Sequence, residues 1–229
     1  MALAYNPPAM NLLHTVHVPA GEGPFPTVIA IHGWGASAHD LLGLAPYFLD
    51  GEAVVICPQG QVEVPIGPGA LGYGWFPLRS GLMPDPSEVL ASAEELRQFV
   101  LAALAHYPAD LERVAILGFS QGGVMAYELG LRETSRFAGI AALSTWFPPQ
   151  LAEAVPARPE HEGFPVLMIH GTEDFVVPVE RARESRETLR PYGVTLTYRE
   201  FPMAHEIRPS ALEVIQHWLL ERALGRETG

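Results

Sequence analysis

The chain has 229 residues, with 26 acidic and 14 basic side chains and a net charge of −12 at neutral pH. That balance argues against nucleic acid or an anionic membrane surface as the main partner, because phosphate contacts need clustered cations. Every basic residue is arginine, which excludes chemistry that needs a lysine Schiff base or a phosphate-loop lysine.

Hydrophobic residues make up 48% of the chain, ample for a core, and no apolar run approaches the roughly 18 residues of a membrane span. Met1 to Pro8 contains neither a basic segment nor a long apolar stretch, so it is not read as a signal peptide. A single cysteine, Cys57, rules out an internal disulfide and sits in an apolar run as a buried structural thiol. The nine histidines are scattered and no H-E-x-x-H or C-x-x-C pattern occurs, so no metal site is predicted. These features set the expectation of one cytoplasmic domain over residues 1–229, monomeric or homodimeric, without an integral membrane segment.

In chain order, Leu13 to Val18 alternates apolar and polar residues, as an edge or antiparallel strand does. Thr27 to Ile31 is continuously apolar and reads as a strand buried on both faces, followed by His32-Gly33-Trp34-Gly35. Asp40 to Phe48 predicts a short helix, and Ala53 to Ile56 the next buried strand. Gln61 to Pro86 is an irregular excursion, with seven prolines and glycines from Pro65 to Pro77. Tyr73, Trp75, Phe76, Leu82 and Met83 are interleaved in it, where they either line a substrate pocket or anchor a long loop. A long helix is predicted over Ser87 to Tyr107 with Ser87 as its N-cap. Further strands follow at Arg113 to Leu117, Phe137 to Leu143, Pro165 to Ile169 and Val194 to Phe201, the last alternating like a strand near a sheet edge. Pro148 to Gly163 is a second proline-rich excursion, with no sign of a separate cap domain. Helices are predicted at Glu180 to Leu189 and Ser210 to Leu224, the latter with a stripe of Leu212, Ile215, Leu219 and Leu220 facing the sheet. Alternating strands and helices with buried, parallel-type strands specify a three-layer α/β fold.

Within this pattern, Gly118-Phe119-Ser120-Gln121-Gly122 follows one apolar strand and opens the helix that continues through Leu129. A strand turning sharply into a helix, with one side chain exposed at the bend, requires small residues two before and two after it. Ser120 is the candidate nucleophile, and it needs a base and an acid that orients the base. After the strand ending at Ile169 comes His170-Gly171-Thr172-Glu173-Asp174, and Asp174, one residue beyond its rival Glu173, is the candidate acid. After Phe201 comes Pro202-Met203-Ala204-His205, which places His205 on a loop able to reach back to Ser120 as the base. His217 falls inside the last helix, and His170 reads as a structural partner of the acid loop. A tetrahedral oxyanion needs two converging backbone N–H groups. Gln121, directly after the serine, supplies one, and the Trp34 amide in the glycine-flanked loop supplies the other.

These stretches together resemble the α/β-hydrolase superfamily, and within it the phospholipase/carboxylesterase family that includes acyl-protein thioesterases and small bacterial carboxylesterases. The matching residues are Ile31-His32-Gly33-Trp34-Gly35, Pro58-Gln59-Gly60, Gly74-Trp75-Phe76, Gly118 to Gly123, His170 to Asp174 with Val177-Pro178, and Ala204-His205-Glu206. The resemblance implies an α/β-hydrolase fold with a mostly parallel sheet. It also implies hydrolysis of small-molecule carboxylic esters or thioesters through an acyl-enzyme, without a cofactor. It further implies that Trp75, Phe76, Trp146, Phe147 and Val176 border the acyl site. Where family members often carry an aspartate after the Trp-Phe pair, this chain has Pro77. Thioesterase or lysophospholipase activity on the same scaffold, or a noncatalytic hydrolase-fold binding protein, are the alternatives.

Overall fold

The computed structural model describes residues 10–78 and 84–225. In chain order its strands are β1 (His14–His17), β2 (Phe25–Ile31), β3 (Val54–Pro58), β4 (Val62–Gly67), β5 (Ala70–Gly74), β6 (Ala109–Phe119), β7 (Gly139–Leu143), β8 (Pro165–Gly171) and β9 (Thr195–Phe201). The α-helices are α1 (Pro86–His106), α2 (Gln121–Arg132), α3 (Pro149–Ala154), α4 (Val179–Leu189) and α5 (Pro209–Trp218). Seven strands form one sheet in the order β1-β3-β2-β6-β7-β8-β9. Only β1 runs antiparallel to its neighbour; the rest are parallel. The architecture is the three-layer α/β-hydrolase fold expected from the alternating pattern.

Strand side chains alternate between two faces, so each central strand feeds two cores. Ile29, Ile31, Val54, Ile56, Ile116, Ile140 and Met168 point toward α1, α2 and α4. Val28, Ala30, Val55, Cys57, Leu117, Leu143 and Ile169 point the other way, onto α5 and the segment before β3. Because both faces are covered, central strands read as unbroken apolar runs, whereas β1 and β9 at the edges are only partly buried. Burial raises the Cys57 thiol pKa to about 12, as befits a packing residue. No helix among the described residues is long and apolar enough to cross a membrane.

Several local expectations shift. Residues Leu42–Gly51 form 3₁₀ turns broken by non-helical backbone at Phe48, Leu49 and Asp50 instead of the short α-helix predicted there, with Pro46 inside. The cap of α1 is Asp85, not Ser87: Asp85 Oδ1 accepts the Ser87 N–H at 2.9 Å, and Pro86 fills the first helical position, where no N–H is needed. The last helix leaves α geometry after Trp218 and closes in a π turn over Leu219–Ala223. Ile215 and Leu219 are buried, but Leu220 is 57% exposed, so the predicted stripe loses its final member.

The first irregular excursion is a β-hairpin, β4 paired antiparallel with β5, which the density of proline and glycine concealed. Two of its glycines are demanded by close approach. A Cβ on Gly72 would lie 1.9 Å from the Gly35 carbonyl oxygen, and one on Gly74 would lie 2.3 Å from the Trp34 ring. Leu82 and Met83, expected in the same excursion, lie outside the described residues. The second excursion holds α3 and a short 3₁₀ turn, Pro159–His161.

On α2, the Tyr127 side chain is fully buried and its hydroxyl has no hydrogen-bond partner among the described residues. Burying a lone hydroxyl costs about 1–3 kcal/mol, so Tyr127→Phe should leave stability unchanged or raise it by about 1 kcal/mol. Urea unfolding of both proteins tests this, and a variant less stable by more than that amount would contradict it.

Candidate active site

The bend between β6 and α2 leaves Ser120 alone with φ 53° and ψ −120°. A side-chain-bearing residue held there stores about 1–3 kcal/mol of backbone strain, which persists only if its surroundings fix it. They do. The Ser120 N–H donates to Leu143 O at 2.9 Å, and its carbonyl accepts from Gly123 N at 2.9 Å and Thr145 Oγ1 at 2.6 Å. A Cβ on Gly118 would lie 2.2 Å from Gly122 O, and one on Gly122 would lie 2.1 Å from Ile31 O. The glycines at both ends of the motif are therefore packing requirements. Ser120 Oγ is held at the tip, with the residue 7% exposed.

Asp174 lies on the loop after β8 with its carboxylate buried. Oδ1 accepts the Val176 and Val177 N–H groups at 2.9 and 2.8 Å, and Oδ2 lies 2.7 Å from His205 Nδ1. A carboxylate can only accept, so Nδ1 carries a proton, and in the neutral ring the lone pair is then on Nε2. His205, on the loop after β9, packs its ring 4.8 Å from that of Phe119, the residue before Ser120. His170 lies under this pair: its Nε2 donates to Val177 O at 2.8 Å and stands 3.5 Å from Asp174 Oδ2. Burial lowers the His170 pKa, so it serves as a neutral donor bracing the acid loop.

The Trp34 loop lies against the elbow, since a Cβ on Gly33 would come 3.1 Å from Ser120 Cβ. The β4–β5 hairpin holds that loop from outside. Gly35 N donates to Tyr73 O at 2.8 Å, and Tyr73 N donates to Ala36 O at 2.7 Å. Among the described residues, neither the Trp34 nor the Gln121 backbone N–H has an acceptor within the protein. Gln121 also stands at the first position of α2, where the helix dipole adds roughly half a positive charge. Its side chain does separate work: Oε1 accepts Trp75 N–H at 2.7 Å and Nε2 donates to Phe76 O at 2.6 Å.

The structure thus joins Asp174 to His205, sets His205 beside the elbow, and lays the Trp34 loop against Ser120. Glu173 is exposed, and His217 lies near the end of α5 and has no hydrogen bond to Ser120, Asp174 or His205 among the described residues. The five residues expected at the acyl site are divided. Trp75, Phe76, Trp146 and Phe147 are all buried. Trp75 donates Nε1–H to His32 O at 2.9 Å, and Phe147 packs between the rings of Tyr127 and Tyr192. Val176 is 58% exposed next to Phe175 at 94%. The side-chain role of Gln121 has no local signal beyond an amide next to the elbow serine, because its partners Trp75 and Phe76 lie 46 and 45 positions away.

The model of the phospholipase/carboxylesterase family matches residues 14–221. An acyl-protein thioesterase 1 from Gibberella zeae is 29% identical over 88% of this chain and 92% of that protein. Another, from Cryptococcus neoformans, is 30% identical over 85% and 91%. The solved structure of SOBER1 from Arabidopsis thaliana superposes with a TM-score of 0.72 at 26% identity, covering 86% of this chain and 98% of that one.

Because a Cβ at Gly122 meets backbone carbonyls that cannot yield, Gly122→Ala should cost at least about 3 kcal/mol of stability. Gly43→Ala, where nothing lies within 4 Å, should change it by less than about 1 kcal/mol. Chemical denaturation of the two variants decides, and equal costs would refute the packing argument.

Proposed function

The chain belongs to the phospholipase/carboxylesterase family of α/β-hydrolases, and we propose that it is a serine carboxylesterase in which Ser120, His205 and Asp174 act as nucleophile, base and acid. The observation that carries the reading is the 2.7 Å link between Asp174 and His205 Nδ1 beside an elbow whose serine has φ 53°. Ser120 Oγ attacks the ester carbonyl as His205 Nε2 takes its proton. The carbonyl oxygen becomes an oxyanion held by the Trp34 and Gln121 N–H groups. His205 then protonates the departing alcohol, leaving an acyl-Ser120 ester. Water, deprotonated by His205, attacks that ester, and the collapse returns the carboxylic acid and the free serine. Ser120 Oγ has no hydrogen-bond partner among the described residues, and catalytic serine–imidazole links of this kind commonly tighten on substrate binding. The mechanism draws on no metal or organic cofactor.

Asp174 is suited to its role by what surrounds it. With two backbone N–H groups on one oxygen and His205 on the other, it holds one imidazole tautomer and stabilises the imidazolium formed in each half-reaction. Thioester hydrolysis is the second reading, favoured by the relatives named acyl-protein thioesterase, since the same attack serves a thioester carbonyl. We place the catalytic unit in one domain acting on small-molecule acyl substrates in the cytoplasm.

Ser120→Ala should lower turnover of a p-nitrophenyl ester by about 10⁴-fold or more, and Asp174→Asn by roughly 10³- to 10⁴-fold, with near-native unfolding curves. A fluorophosphonate should label the native protein at Ser120 alone. Substantial turnover by a pure Ser120→Ala preparation would overturn the assignment, and a panel of p-nitrophenyl esters and acyl-CoA thioesters ranks the two readings.

A further inference from the structure

The mechanism assigns no role to His32, which is 1% exposed at the end of β2. Its ring is nonetheless fully engaged. Nδ1 lies 2.7 Å from the carbonyl oxygen of Gly33, and the Gly60 N–H points at Nε2 from 3.0 Å. A backbone N–H can only donate, so Nε2 holds the lone pair and Nδ1 the proton, which is donated to Gly33 O. Burial lowers the His32 pKa, keeping the ring in this neutral form. The partners are locked in turn. A Cβ on Gly60 would lie 2.2 Å from Gly74 O, and the Trp75 indole packs 5.2 Å from the imidazole while donating to His32 O at 2.9 Å.

The consequence lies one bond away. In a trans peptide the C=O and the following N–H point to opposite sides. Holding Gly33 O against the buried imidazole therefore turns the Trp34 N–H to the other side of the peptide. Rotating the Gly33–Trp34 peptide by half a turn would offer a carbonyl where the donor belongs. Gly33 has no side chain to resist that rotation. The only other bond to its carbonyl among the described residues is the longer one from Ala36 N at 3.3 Å.

We propose that His32 is a positioning residue for the oxyanion hole, its Nδ1–H fixing the Gly33–Trp34 peptide so that the Trp34 N–H faces the substrate carbonyl. The proposal rests on the assignment of Trp34 as an oxyanion donor. Trp75 extends the frame, because its indole is tied to His32 and its backbone to the Gln121 side chain. One buried hydrogen-bond chain thus connects the segments carrying both donors.

Three variants separate positioning from bulk. Asparagine places an amide N–H near the position of Nδ1 and can keep the bond to Gly33. Glutamine places its carbonyl near Nε2, keeping the Gly60 bond while losing the one to Gly33. Leucine fills the space and makes neither. For p-nitrophenyl ester hydrolysis, His32→Gln and His32→Leu should lose about 10- to 100-fold in kcat, approaching the effect of deleting an oxyanion donor, with KM within about twofold. His32→Asn should recover about tenfold over His32→Leu. Affinity for a trifluoromethyl ketone, whose serine adduct carries an oxyanion, should fall in parallel with kcat. Equal loss in all three variants, loss confined to KM, or wild-type turnover by His32→Gln would overturn the proposal. If His32→Leu does not fold, the comparison of Asn with Gln decides alone. An active Ser120→Ala protein would bring down the parent reading, whereas an inactive one beside a fully active His32→Gln would bring down this inference alone.

Discussion

The arrangement turns on one close approach, that of α2 to the carboxyl end of β2. Gly122 lies so near the Ile31 and His32 carbonyls that any side chain there would overlap them. Since β2 and β6 are parallel neighbours near the middle of the sheet, their ends open on the same side. The helix leaving β6 is drawn tight against the loop leaving β2. That contact places the Trp34 loop beside Ser120 and gives the serine no relaxed alternative to its positive φ. The strain, of order 1–3 kcal/mol, is small against the packing that imposes it.

The remaining candidate groups reach the same place by the logic of a parallel sheet, in which every strand ends on one edge and its following loop rises there. The loops after β8 and β9 carry Asp174 and His205, and these strands are paired from Pro165 with Thr195 to Gly171 with Phe201. A shift of that register would separate the two groups, which are held at 2.7 Å. Beneath them His170 and the Val176 and Val177 amides leave the carboxylate little freedom. The chemistry proposed for Ser120 thus draws mostly on backbone groups and on imidazoles held in place by hydrogen bonds to the loops at the sheet's edge.

Legibility in the sequence followed burial. The sheet strands were readable because continuous apolar runs and glycine breaks signal parallel strands covered on both faces. The elbow was readable because its glycines are spaced by a steric rule. The β4–β5 hairpin was not, since Gly72 and Gly74 exist to admit Gly35 and the Trp34 ring, a tertiary contact with no local trace. The cap moved from Ser87 to Asp85 for a similar reason: two capping residues flank Pro86, and only the helix geometry chooses between them. Leu220 fits a helical stripe in projection, but the π turn rotates it outward.

What the sequence determined by itself was the order of the seven strands of the main sheet and of helices α1, α2, α4 and α5, and the identity of Ser120, Asp174 and His205 as candidates. Each of these depends on residue type and on short-range spacing. What only the tertiary structure decided was partnership. It bound His32 to Gly33 and Gly60, and the Gln121 side chain to Trp75 and Phe76. It also buried four of the five residues expected to line the acyl site. Gln121 and Trp75 are 46 positions apart, and His32 and Gly60 are 28 apart. Hydrogen bonds across such separations exist only once the sheet has closed the intervening chain, so residue type can supply a donor or an acceptor but not its partner.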